Sequence, residues 1–136
     1  MKGDSVAGRD EVAVDVPAGS AREARRFITD ALAAWQLNHL ARLAVVVGHE
    51  LIVNALRHGR PPTLLRLRRG NDCVLIEVRD ESSVVPHVPE IDNATSTSGR
   101  GLRIVNALAH RWGVRHHRGG KVVWAEVSGA KMTSNK

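Results

Sequence analysis

The segment from Leu40 to His58 constrains this chain more than any other. It runs at helical period, with Leu43, Val47, Leu51, Ile52, Ala55 and Leu56 covering much of its circumference, and it is closed by Gly59 as a C-cap with Pro61 and Pro62 beyond. A helix this apolar has to bury its surface against another layer. Its polar interruptions are ordered, because Glu50, Asn54 and His58 fall at i, i+4 and i+8 and form one line along the helix. That spacing alone equally describes the solvent side of an amphipathic helix.

The remaining pattern supplies the other layer. Glu11 to Val16 alternates as a short strand does and ends at Pro17-Ala-Gly. Ser20 and Glu23 form a capping box for a first helix over about residues 20–35, with Ala24, Phe27, Ile28, Ala31, Leu32 and Trp35 at helical spacing. Thr63 to Arg69 and Cys73 to Val78 read as a hairpin across Gly70-Asn71-Asp72, and Gly113 to His117 with Lys121 to Val127 as a second across Arg118-Gly119-Gly120. Between them, a helix over about residues 100–111 carries Leu102, Val105, Leu108 and Ala109 on one side. The order is strand, helix, helix, hairpin, loop, helix, hairpin. It predicts an α+β two-layer sandwich, a mostly antiparallel sheet covered on one face by helices. Residues 11–128 are expected to form a single domain between flexible tails at 1–10 and 129–136.

Composition removes several functions. In 136 residues no apolar run reaches the ~18 a bilayer span needs, Leu43 to Val47 stopping at Gly48, and the N-terminus lacks the pattern of a secretory signal, so no membrane role and a cytoplasmic location are expected. Cys73 is the single cysteine, which excludes an intrachain disulfide and a Cys-rich zinc cluster. The net charge is +6, but sixteen of the twenty basic residues are scattered arginines, and Phe27 with three Trp offers few stacking platforms. No nucleic-acid partner is expected. His110, His116 and His117 read as structural, Cys73 as a small buried hydrophobe, and Trp35, Trp112 and Trp124 as core. Arg22, Arg25 and Arg26 share a face of the first helix that is either solvated or a partner surface.

Two further places point to chemistry. Ser98-Gly99-Arg100-Gly101-Leu102 opens a predicted helix, where backbone N–H groups and the positive end of the helix dipole favour an anion. It is neither a Walker A motif nor GxGxxG. Asp80 stands where an apolar strand runs out into a loop, Asp80 to Gly101, too long and aperiodic to be a simple connection. A carboxylate there accepts a hydrogen bond from an exocyclic amine and repels the carbonyl of guanine, or else it shapes a turn.

Together these segments resemble a known family. His49-Glu50-Leu51-Ile52-Val53-Asn54-Ala55-Leu56-Arg57-His58-Gly59 is similar to the N box of the gyrase/Hsp90/histidine-kinase/MutL (GHKL) ATPases, Val78-Arg79-Asp80-Glu81-Ser82 to their first Gly box, and Ser98-Gly99-Arg100-Gly101-Leu102-Arg103-Ile104-Val105 to their second. Within that superfamily the chain most resembles anti-sigma factor serine kinases of the SpoIIAB and RsbW type, as do Ala109-His-Arg-Trp-Gly-Val and Gly120-Lys-Val-Val-Trp-Ala-Glu, over about residues 15–127.

The resemblance implies a Bergerat-type fold that binds ATP and Mg²⁺. Glu50 would be the general base, Asn54 the Mg²⁺ ligand and Asp80 the reader of the adenine amine, with Ser82 beside the base. Gly99, Arg100 and Gly101 would cradle the phosphates with Leu102 next to them, His58 would lie near the nucleotide, and residues 83–98 would form a lid. The implied activity is phosphorylation of a Ser or Thr on a STAS-type anti-sigma factor antagonist, with sequestration of a sigma factor and possible homodimerisation. The short stretch before the first helix leads us to expect an acceptor on another protein rather than the phosphoacceptor helices of a histidine kinase. Ser82 and Val84 stand where the superfamily has glycines, and Val122 and Val123 where many members place an adenine-binding Thr. These departures motivate the alternative, a partner-binding regulatory module of the same fold with weak or absent kinase activity.

Overall fold

The computed structural model describes residues 9–16, 21–84 and 100–129, with Arg100 and Gly101 placed in their backbone only. In chain order these are β1 (Glu11–Asp15), α1 (Ala21–Ala34), a 3₁₀ turn (Asn38–Leu40), α2 (Ala41–His58), β2 (Leu64–Gly70), β3 (Cys73–Asp80), α3 (Arg100–Leu108), β4 (Arg111–His117) and β5 (Gly120–Ser128). The five strands form one sheet in the order β1-β2-β3-β5-β4, with every neighbouring pair antiparallel. This is the predicted sandwich. The expected capping box at Ser20 and the greater part of the lid lie outside the described residues.

The alternation of each strand decides the layers. Val12, Leu65, Leu67, Val74, Ile76, Val78, Val123, Ala125 and Val127 are all buried on one face, against Ala24, Ile28, Ala31 and Leu32 of α1, Val47, Leu51, Ile52 and Ala55 of α2, and Leu102 and Val105 of α3. Helix α2 is central: it packs against α1, α3, β3 and β5. Gly48 brings α1 close, since a Cβ there would meet Ile28 Cδ1 at 2.5 Å. The segment Asn38–His58 is, by length and composition, apolar enough to cross a membrane, contrary to expectation. Here it is the central core helix, which explains that composition without a bilayer.

Gly59 caps α2 as expected, its N–H bonded to the Ala55 carbonyl at 2.8 Å with an extended backbone (φ −94°, ψ −162°). Other expectations are corrected by position. Cys73 is only half-buried and lies on the open face of the sheet, where burial first and a hydrogen bond with Glu126 second push its thiol pKa up. Trp124 also sits on that face, over Gly113, where a Cβ would come within 2.9 Å of the indole. Trp35 is core, its Nε1 donating to the Arg9 carbonyl at 2.6 Å, and Trp112 packs at the core margin with its Nε1 donating to Asn106 Oδ1 at 3.0 Å.

Candidate functional site

The end of β3 is where the apolar face gives way to charge. Asp80, its last residue, is 1% exposed. Its Oδ1 accepts from the Ser82 backbone N–H at 2.7 Å and from Lys121 Nζ at 3.0 Å, while its Oδ2 is buried with no hydrogen-bond partner among the described residues. A buried acceptor left unpaired costs about 1–3 kcal/mol, more when charged, and such a group in a folded protein calls for an explanation. A donor brought by a ligand would supply the missing bond.

Two glycines leave room for Asp80. A Cβ on Gly59 would lie 2.6 Å from Asp80 Cγ and 2.7 Å from Oδ2, and a Cβ on Gly120 would collide with the Asp80 carbonyl oxygen. The Glu81 N–H donates to the Arg60 carbonyl at 2.8 Å, which ties the exit of β3 to the chain leaving α2. The C-terminal end of α2, the end of β3 and the start of β5 therefore meet at Asp80.

That junction orders the residues along α2. From Gly59, which touches Asp80, Asn54 lies about 7.5 Å and Glu50 about 13.5 Å back along the helix axis at 1.5 Å per residue. Glu50 and Asn54 are half-buried and His58 is exposed. The line lies off the core side formed by Ala44, Val47, Gly48, Leu51, Ile52 and Ala55. Arg100 and Gly101 form the first residues of α3, which packs on α2, and Leu102 is 3% exposed within the core, so its side chain contributes packing. Gly99 lies outside the described residues.

Ser82 and Val84 differ in what they do. Ser82 is buried; its N–H serves Asp80, and its Oγ accepts from the Val84 N–H at 3.1 Å, so a side chain at this position folds the strand exit. Val84 is 68% exposed.

The larger correction concerns β5. The register pairs Asp80 with Lys121, Arg79 with Val122 and Val78 with Val123. Val122 points to the open face, Val123 is core, and the side chain that shares Asp80's corner is Lys121, a donor where a loss of donors was expected. Lys121 is 3% exposed and also reaches the Ser82 carbonyl at 3.4 Å. Sequence reasoning missed it, although one signal was present: the other lysines, Lys2, Lys131 and Lys136, all lie near the chain ends, and every other basic residue is Arg. A compact ammonium fits a corner that a planar guanidinium does not.

Residues 16–127 match the family described as histidine kinase-like ATPase domain. Among solved structures, the chain is similar to the histidine kinase AdeS of Acinetobacter baumannii, at 15% identity and a TM-score of 0.47, over 86% of this chain and 67% of that one. No curated protein matches it.

Proposed function

The chain belongs to the histidine kinase-like ATPase family, and on that premise we propose that it is an ATP-dependent protein serine/threonine kinase of the anti-sigma type. One observation carries the nucleotide part of this reading: Asp80 Oδ2 is a buried acceptor, unpartnered among the described residues, at the foot of the helix that presents Asn54 and then Glu50. An exocyclic amine supplies the missing donor, and adenine has one where guanine has a carbonyl. A base seated at Asp80 directs its phosphates along α2 and toward the N-terminus of α3, whose backbone N–H groups suit an anion.

Asn54 offers an amide oxygen suited to Mg²⁺, which would neutralise phosphate charge. Glu50 would accept the proton of the acceptor hydroxyl as its oxygen bonds to the γ-phosphorus and the bond to the β-phosphate oxygen breaks, leaving ADP. The acceptor in this reading is a Ser or Thr of a STAS-type antagonist, and the competing partner is a sigma factor, both met in the cytoplasm; a homodimer is compatible with it. The exposed arginines of α1, Arg22, Arg25 and Arg26, are available for such partners.

The test is transfer of the γ-phosphoryl group from Mg-ATP to a STAS-type antagonist. Wild type is expected to phosphorylate it, and Glu50→Ala to lose about 10²–10⁴-fold in rate while still binding ATP. Equal transfer by both proteins would remove Glu50 from the chemistry. ATP binding without transfer would favour the second reading, a partner-binding module, which draws support from buried Ser82 at a position where the superfamily has glycine.

A further inference from the structure

Lys121 has more bonding capacity than its corner uses. An ammonium carries three N–H donors, and among the described residues Nζ reaches two acceptors, Asp80 Oδ1 at 3.0 Å and the Ser82 carbonyl at 3.4 Å. Across the same pair, Asp80 holds one unused acceptor, Oδ2. The corner thus presents a spare donor beside a spare acceptor, both carried by side chains on the helix-covered face of adjacent strands.

Stability alone explains this poorly. Burying an ammonium and a carboxylate costs several kcal/mol per ion, and a buried pair with bonds left unmade is commonly no more stable than apolar residues in its place. The neighbours of Lys121 and Asp80 on the same face are Val123 and Val78, so apolar residues would continue the core without interruption. A pair of complementary unused groups is instead what recognises a ligand edge bearing a donor next to an acceptor.

Resting on the adenine-nucleotide reading above, we propose that Lys121 is a second base-reading residue, donating its third N–H to N1 of adenine while Asp80 Oδ2 accepts from the 6-amine. The two contacts read adjacent atoms of one edge in opposite senses. For a base seated with its 6-substituent at Asp80, guanine sets its O6 against the carboxylate and its N1–H against the ammonium, so both contacts reject it.

The test compares ATP with its 1-deaza analogue, in which N1 is a C–H, by titration calorimetry with Mg²⁺ on the whole chain. Wild type is expected to bind the analogue about tenfold or more weaker than ATP, the size of one hydrogen bond to a charged donor. Lys121→Met is expected to bind ATP and the analogue alike. Equal binding of both nucleotides by wild type would overturn the proposal and leave Lys121 as the counter-ion of Asp80. That comparison needs no variant, so it holds even if Lys121→Met fails to fold. A purine nucleotide without the 6-amine separates the two readings: weakened binding of it, with ATP and the 1-deaza analogue equal, keeps the adenine site and removes Lys121 from it. No ATP binding by folded wild type would overturn both.

Discussion

Strand β3 carries two carboxylates three positions apart, and they face opposite sides of the sheet. Asp80 lies under the helices, paired with buried Lys121, and one of its oxygens has no partner among the described residues. Glu77 lies on the open face, where Oε2 accepts from Arg115 Nη2 at 2.6 Å and Oε1 lies 3.8 Å from Arg66 Nε. Both side chains are at most 5% exposed, but Arg115 is 54% exposed and can turn to water if its partner is lost. The difference is in what remains undone. Glu77 is satisfied within the protein and needs no ligand, whereas Asp80 has an acceptor to spare among the described residues. Burial of a charge does not by itself mark a site; what sets Asp80 apart from Glu77 is the acceptor left over.

The contrast is easiest to break at Asp80. Asp80→Asn keeps an acceptor for the Ser82 N–H but leaves Lys121 buried without its counter-charge, and it should cost about 3 kcal/mol in urea denaturation. Its new amide N–H₂ or its lost charge would face the adenine amine, so ATP affinity should also fall about tenfold or more. Unchanged stability would show that the Lys121 pair contributes nothing. Next in size is Gly59→Ala, whose Cβ has to displace either the Asp80 carboxyl or the Ala55 carbonyl. The expected loss is about 1–3 kcal/mol, with weaker ATP binding in the same titration.

Those two effects also show where sequence reading stops. The order of elements, the helix-bearing face and Asp80 at a strand end were all legible, because each follows from local periodicity and turn residues. Two hairpins were legible too. The pairing of β3 with β5 was not, because it joins strands from different hairpins, and no local signal sets a register over such a separation. Hence attention went to Val122 and Val123, and the buried ammonium of Lys121 opposite Asp80 was missed. Gly59 was legible as a cap, but not its closeness to Asp80, which depends on a contact between distant segments.

The open face should respond weakly. Glu77→Gln removes the charge opposite Arg115 and Arg66, and the change in stability should stay within about 1 kcal/mol because the arginines are solvated. ATP affinity should not change. A loss of binding in this variant would mean that the two faces are coupled and that the contrast drawn above is wrong.

The smallest effect is a pH dependence at the far end of the same face. Arg111 Nε donates to Glu126 Oε1 at 2.8 Å, and this bond holds the Glu126 carboxyl below its ordinary value of 4.5. A lowered folded-state value stabilises the native state above the unfolded one and is lost as pH falls below 4.5 through the folded value. Arg111→Ala should therefore remove a few tenths of a kcal/mol at neutral pH and nothing once Glu126 is protonated. Denaturation curves of both proteins at neutral pH and below pH 4 check it; a difference that persists in acid would place the effect elsewhere.

The most direct measurement is calorimetric titration of wild type and Asp80→Asn with Mg-ATP, with Mg-GTP as control and circular dichroism to confirm folding. Saturable binding of ATP over GTP by wild type, weakened about tenfold or more in the variant, is the predicted result. Folded wild type that gives no ATP binding at millimolar nucleotide, or a variant that binds as wild type does, would contradict it.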